Sequence, residues 1–213
     1  MRKDSINELC NLILRRYHQR HTGRTFTVAV SGIDASGKSS FAAEIKYLLE
    51  ENNLNVALLS IDDWQMPKAI SFLKENAAAN FYHNAFRWNA FFDSLLIPLQ
   101  NTRSINLGAN LVDIKNDKVY SKQYSFKKID IILVEGIFLL MKDTRAFFDY
   151  TVWIDCSFKT GLQRALKRNQ EGLVQEQLIN DYQTFYYPAQ QFHFKRDNPL
   201  FAADFIFDNN NIL

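Results

Sequence analysis

Five short apolar runs punctuate the chain: Phe26–Val30 (FTVAV), Val56–Ser60 (VALLS), Ile129–Val134 (IDIILV), Thr151–Ile154 (TVWI) and Phe205–Phe207 (FIF). Each has strand length and β-branched or aromatic content, and most lack strict alternation, the pattern of strands covered on both faces. Between them apolar residues recur at helical spacing. Phe41, Ile45, Leu48 and Leu49 follow the first run, Phe91, Phe92, Leu95, Leu96 and Leu99 precede the third, and Leu162, Ala165 and Leu166 follow the fourth. Strands alternating with helices predict an α/β fold with a mostly parallel, doubly wound sheet, whose ligands gather at the carboxyl ends of its strands. Residues 104–126 break the pattern: two weakly alternating stretches flank Lys115-Asn116-Asp117-Lys118 and predict a β-hairpin. Such a hairpin either covers part of a site or is plain surface.

No repeat, linker or low-complexity run divides the 213 residues, so one domain spanning 1–213 is expected, with an N-terminal helix in 1–25, the hairpin insertion at 104–126 and a lid segment at 158–172. At 47% hydrophobic and 14% aromatic the chain can bury a sizeable core, which excludes a disordered protein. Twenty-five Lys+Arg against 23 Asp+Glu leave +2, too balanced for the footprint of non-specific nucleic-acid binding. Cys10 and Cys156 lie far apart without metal-ligand spacing, as in a reduced cytosolic protein. The segment from Ser5 to Arg20 reads as an amphipathic helix that either docks on the core or makes a homo-oligomer contact. The apolar stretch from Ile129 to Met141 is too short to span a bilayer, so a cytoplasmic protein with no membrane partner is expected.

The chemistry begins directly after the first run. Gly32-Ile33-Asp34-Ala35-Ser36-Gly37-Lys38-Ser39 is a full G-x-x-x-x-G-K-[ST] between a strand and a helical pattern. Glycines permit the tight turn that aims successive N–H groups at phosphate oxygens, and the helix N-terminus adds positive potential. Gly32, Asp34, Ala35, Ser36, Gly37, Lys38, Ser39 and Ser40 are therefore the expected nucleotide cradle, with Lys38 a mobile charge on the phosphates and Ser39 a ligand for Mg²⁺. The loop alone leaves kinase, switch GTPase, motor and regulatory ATPase open.

The other strand ends narrow the choice. The second run leads into Asp62, Asp63 and Trp64, where a carboxylate can take the proton of an attacking hydroxyl or, more blandly, cap the next helix. The third ends in Val134-Glu135-Gly136, with Glu135 placed to share Mg²⁺ with Ser39. After the fourth, Arg164 and Arg168 share a helix face, flanked by Lys159 and Lys167, and read as a lid over the transferring phosphoryl or as a solvated basic face. Trp64, Tyr82, His83 and Arg87 are candidates to face a substrate, although such an aromatic cluster also reads as core. His18, His21 and His193 read as surface or structural. No Asn-Lys-x-Asp motif follows a late strand, which argues against a guanine-nucleotide switch; Asn116-Asp117-Lys118 has the wrong order.

In this order the motifs resemble the uridine kinase-like branch, phosphoribulokinase/uridine kinase, of P-loop small-molecule kinases, and are also similar to nicotinamide riboside kinases. The resemblance spans about residues 26–211 and rests on GIDASGKSS, SIDDW, NAFRWNAFFDSLLIPL with its Leu-Pro-Leu-like end, VEGIFLL, Arg164 with Arg168, YYPAQQFHF and NPLFAADFIFDN. It implies a three-layer P-loop NTPase fold with a helical lid, and ATP- and Mg²⁺-dependent transfer of a phosphoryl group to a hydroxyl of a small molecule, a nucleoside or riboside. It further implies Asp62 as the base, with Asp63 as the fallback, Glu135 and Ser39 on Mg²⁺, Lys38 across the phosphates, and Arg164 and Arg168 on the lid. The hairpin departs from the family: Leu111-Val112-Asp113-Ile114 stands where uridine kinases carry Pro-x-Tyr-Asp, with Tyr120 and Tyr124 following, and Arg168-Asn169 replaces Arg-Asp. Pantothenate or a sugar phosphate is the alternative acceptor, and a non-catalytic ATP-binding module the alternative class; intact Lys38, Ser39, Asp62 and Glu135 argue against the latter.

Overall fold

The computed structural model describes residues 2–20, 23–169 and 172–210; His21 and positions 170–171 of the expected lid lie outside them. Helix α1 (Arg2–Gln19) leads into β1 (Phe26–Gly32), α2 (Lys38–Glu50) and β2 (Val56–Ser60). A 3₁₀ turn (Ile61–Trp64) and helices α3 (Lys68–Ser71), α4 (Ala77–Asn84), α5 (Trp88–Phe91) and α6 (Ile97–Thr102) precede the hairpin of β3 (Ile105–Asp113) and β4 (Lys118–Phe126). Then come β5 (Ile131–Gly136), β6 (Tyr150–Asp155), α7 (Phe158–Arg168), α8 (Gln175–Asp181), α9 (Tyr187–Asp197), α10 (Pro199–Ala202) and β7 (Phe205–Asp208).

The five expected runs form one parallel sheet in the order β2-β5-β1-β6-β7. Successive side chains leave a strand on opposite faces, and here both faces are covered, which explains the near-continuous apolar runs. Val28, Val30, Leu133, Val152 and Ile154 face one core with Phe41, Ile45 and Leu49 of α2. Ala29, Leu59, Ile132, Val134 and Trp153 face the other, with Phe91, Leu95 and Leu99 from the helices before the hairpin. β5 starts two residues later than the run expected from Ile129, because the backbone N–H groups of Ile129 and Asp130 are taken by Arg103 and Asn55 carbonyls.

The N-terminal helix docks on the core: Ile6, Leu9, Cys10 and Ile13 are buried in the cluster shared with α2. Burial, and then the Glu44 carboxylate, push the Cys10 thiol up to about 12, so it is an inert packing group. The helix before the hairpin does not end at its Leu-Pro-Leu-like segment but runs through Pro98 to Thr102, by way of a π turn at Phe92–Leu96. Proline cannot donate an N–H and its ring crowds the preceding turn; widening that turn lets the helix pass. The same solution recurs at Tyr182–Tyr186 ahead of Pro188.

The hairpin is antiparallel in the register Leu107↔Tyr124, Ala109↔Lys122 and Leu111↔Tyr120. Its turn is fixed by the Asp113 carboxylate, which accepts from the Lys115 amide at 2.9 Å and Asn116 Nδ2 at 2.7 Å, with Asp117 left-handed at φ 51°. Ala109, Leu111 and Tyr124 are buried against the main core, so one face of the hairpin is part of the packed body. No helix among the described residues is long and apolar enough to cross a membrane.

Docking of α1 carries a measurable cost. Leu9→Ala is expected to destabilise the chain by about 2–5 kcal/mol, read as a lowered urea midpoint at unchanged slope. A loss below ~0.5 kcal/mol, the size of an ordinary surface substitution, would show that α1 is not part of the cooperative core.

Candidate active site

The loop between β1 and α2 takes its shape from two glycines. A Cβ on Gly32 would stand 2.7 Å from the Ile154 carbonyl oxygen, and Gly37 adopts φ +96° with Asn209 Nδ2 2.7 Å from where its Cβ would sit. Only glycine allows both the close approach and the left-handed backbone that opens α2 at Lys38. The Lys38 side chain is buried, and Nζ donates to the Ile33 carbonyl at 2.7 Å, inside the curl of the loop. The carbonyl of Ser36 is held from outside by Asn209 Nδ2 at 2.7 Å and Arg164 at 3.3 Å, and Arg164 also donates to the Asn209 carbonyl at 2.8 Å. The Asp34 carboxylate accepts from the Tyr182 hydroxyl, which ties the loop to the helix after α8.

Glu135 is the penultimate residue of β5, opposite Val30 on one side and Ser60 on the other. Its carboxylate is buried and both oxygens are engaged: Ser39 Oγ donates to one at 3.1 Å and Ser60 Oγ to the other at 2.5 Å. Gly136, at φ +151°, lets the turn after β2 pass against it, since a Cβ would lie 2.1 Å from Ile61 Cγ2. That turn is capped by Ser60 Oγ, which accepts from the Asp62 amide at 3.3 Å. A hydroxyl beside a carboxylate is a hard-oxygen pair of the kind that suits Mg²⁺, whose remaining ligands are ordinarily phosphates and water.

Asp62 is exposed as a residue. Desolvation of its carboxylate, the carboxylates of Glu135, Asp34 and Asp63, and only partial relief from Lys38 push its acid up to about 7. Asp63 turns the other way: one of its oxygens accepts from Lys122 Nζ at 2.6 Å and from the Tyr124 hydroxyl at 3.0 Å, both on β4. Trp64 is buried, stacked on Tyr124 with the Arg87 guanidinium 5.3 Å from its ring, and Arg87 donates to the Asn110 carbonyl of β3 at 2.7 Å.

Of the candidates for a substrate wall, Trp64 and Arg87 thus lie beside the paired acids, whereas Tyr82 does not. Its ring is fully buried and its hydroxyl donates to Asp197 at 2.5 Å, with His193 Nδ1 2.7 Å from the same carboxylate oxygen. Asp197 closes the far end of α9, and the near end, at Tyr187, is the one that reaches Phe158 and Tyr182. The 11 residues between span about 16 Å. Tyr82 is therefore core, His193 structural, and His83, exposed with its ring edge-on to Tyr82 and Phe192, belongs to that distant end.

Helix α7 starts at a Ser157 cap on the Thr160 amide and packs close enough that a Cβ on Gly161 would stand 3.0 Å from the Asp34 carbonyl oxygen. It delivers Arg164 to the phosphate loop; Arg168, one turn further on the same face, is exposed. Asn209, just past β7, holds the loop although nothing local in the sequence assigned it a role. Its only signal was its place at the end of the AADFIFDN segment, because a contact 173 positions away from Ser36 leaves no local pattern.

Comparison with known proteins bears on the family and the fold. Residues 27–194 match the model of the phosphoribulokinase / uridine kinase family. Uridine-cytidine kinase B of Dictyostelium discoideum is 27% identical over 173 residues, 79% of this chain and 69% of that protein. The uridine kinase of Staphylococcus haemolyticus is 28% identical over 165 residues, 74% of this chain and 76% of that protein. Among solved structures, one described as a possible uridine kinase from Bacillus stearothermophilus superposes with a TM-score of 0.76 at 23% identity, covering 97% of this chain and 98% of that one. The D-glycerate 3-kinase of Cryptococcus neoformans does so at 0.61 and 12%, covering 87% and 88%, so the fold is shared by kinases named for different acceptors.

The raised Asp62 acid has a sign that can be checked. Well below about pH 4 the folded and unfolded chains both hold the proton and nothing is lost, the penalty grows as pH rises from there, and above pH 7 the folded chain carries the full penalty of an ionised Asp62. Asp62→Asn is expected to stabilise the nucleotide-free chain at pH 8 by about 1 kcal/mol, discounted for the residue's exposure, a Tm rise of ~2–4 °C. Thermal melts at pH 8 and pH 4 test this, with little change due at pH 4; equal shifts at both would remove the electrostatic cause.

Proposed function

The chain belongs to the phosphoribulokinase / uridine kinase family, and from that premise we propose that it transfers the γ-phosphoryl group of ATP to a hydroxyl of a nucleoside, with Asp62 as general base. The observation that carries the reading is the position of Asp62. It leaves β2 beside Glu135, and Ser39 and Ser60 bind that same carboxylate, so the acid faces the place where the phosphate loop would hold the transferring group. The uridine-cytidine and uridine kinases among its relatives support a nucleoside acceptor.

In this reading the loop N–H groups from Asp34 to Ser40 and the N-terminus of α2 bind the phosphates, and Lys38 moves from the Ile33 carbonyl onto them. Ser39 and Glu135 would hold Mg²⁺, which neutralises phosphate charge and aligns the oxygens when bound. Asp62 accepts the acceptor's hydroxyl proton as the new P–O bond forms and the bond to the ADP oxygen breaks. An acid near 7 makes Asp62 a stronger base than an ordinary aspartate while leaving it substantially ionised at neutral pH. Arg164, already at the loop, and Arg168 stabilise the transferring group when the segment 158–172 closes as a lid. Trp64 and Arg87 line the acceptor side. A second reading, an anionic acceptor such as a sugar phosphate or pantothenate, is favoured by the two cations there, Lys122 and Arg87.

ADP release from ATP and Mg²⁺ across ribonucleosides, deoxyribonucleosides, pantothenate and sugar phosphates tests the proposal, with stimulation by a nucleoside expected. Asp62→Asn should lower kcat by about 10²–10⁴-fold at nearly unchanged ATP affinity, and Lys38→Ala should weaken both. Stimulation only by an anionic acceptor would support the second reading, and tight ATP binding with no stimulated turnover would contradict both.

A further inference from the structure

Two carboxylates leave β2 side by side, yet their surroundings differ. Asp62 faces the phosphate loop and Glu135, whereas Asp63 is bound from the hairpin by Lys122 and Tyr124 through a single oxygen. Around that contact the hairpin is fastened from its other strand as well, since Arg87 donates to the Asn110 carbonyl on β3. Trp64 touches both fastenings: it stacks on Tyr124, and the Arg87 guanidinium lies 5.3 Å from its ring. The Lys122 ammonium also lies 5.3 Å from the Tyr124 ring, so its charge is held by both the carboxylate and the aromatic face. Lys122 and Tyr124 are two apart on β4 and project to the same face. That face meets the turn carrying the proposed base.

We propose that Asp63 is a positioning residue, clasping the hairpin onto the turn of Asp62 through Lys122 and Tyr124 and so setting the width of the acceptor pocket. The proposal rests on the phosphoryl-transfer reading above and deepens it by dividing the two acids: one takes the proton, and the other holds the wall. The clasp is charge-assisted and links segments 59 and 61 residues apart in sequence, so its loss frees the hairpin without touching the phosphate loop. An acceptor seated between hairpin and turn would then be bound less well but processed by an intact base, which appears in KM and not in kcat.

The test uses the full chain with uridine as acceptor. Asp63→Asn and Lys122→Met are each expected to raise the KM for uridine by about tenfold, with kcat and the KM for ATP within about twofold of the parent. The double variant should be no worse than Asp63→Asn alone, because both substitutions remove the Asp63–Lys122 ion pair. Hydrogen exchange in the nucleotide-free chain should quicken about tenfold across residues 105–126 in both variants and stay unchanged across 26–50. A fall in kcat of about a hundredfold or more in Asp63→Asn at unchanged KM would make Asp63 the base and overturn the proposal. Unchanged exchange in the hairpin would overturn it equally. If no acceptor is phosphorylated, the kinase reading fails on its own, and the exchange measurement still decides whether the clasp exists.

Discussion

A carboxylate buried at the end of a central strand is costly unless both its oxygens are bonded, and Glu135 meets that demand by taking hydroxyls from two different elements. Ser39 comes from the first turn of α2, just past the phosphate loop, and Ser60 from the last residue of β2. The need to satisfy one buried charge therefore fixes the phosphate loop against the turn that carries Asp62. Gly136 completes the constraint by leaving room for Ile61, which begins that turn. Loop, acid and turn are held as one unit by polar contacts, and the two apolar layers around the sheet keep water from competing for them.

The second half of the site is built differently. Around the phosphate loop many contacts go to backbone atoms, Lys38 to Ile33 and Asn209 and Arg164 to Ser36, beside the side-chain bond of Tyr182 to Asp34. Around the hairpin most go between side chains, Lys122 and Tyr124 to Asp63 and Trp64 to Arg87, with one to the Asn110 carbonyl. Backbone contacts tolerate change in the side chains they hold, whereas the hairpin contacts depend on particular pairs. This division suits a kinase fold in which the phosphate chemistry stays the same and the acceptor side varies.

Strands and the phosphate loop were legible in the chain because their causes are local: a period-two backbone covered on both faces, and glycines spaced for a tight turn. The hairpin was legible for the same reason, from a polar turn between alternating stretches. Other features have no local signature. Tyr82 looked like a pocket aromatic, but its place in the core is decided by Asp197 and His193, more than 100 positions away. The surroundings of Asp62 and Asp63 are indistinguishable by spacing and separate only when the hairpin folds over one of them. Asn209 and Tyr182 reach the loop from the distant end of the chain, and the passage of the helix through Pro98 depends on a π turn that composition does not announce.

The central claim is that Asp62 takes the proton, and the pH dependence of kcat/KM for the acceptor tests it most directly. Once Asp62 takes up its proton, the rate should fall about tenfold per pH unit on the acid side. In Asp62→Asn the small residual rate should lose this limb and stay flat. An acid limb retained unchanged in Asp62→Asn, at near-parental rate, would assign the ionisation and the proton transfer to another group.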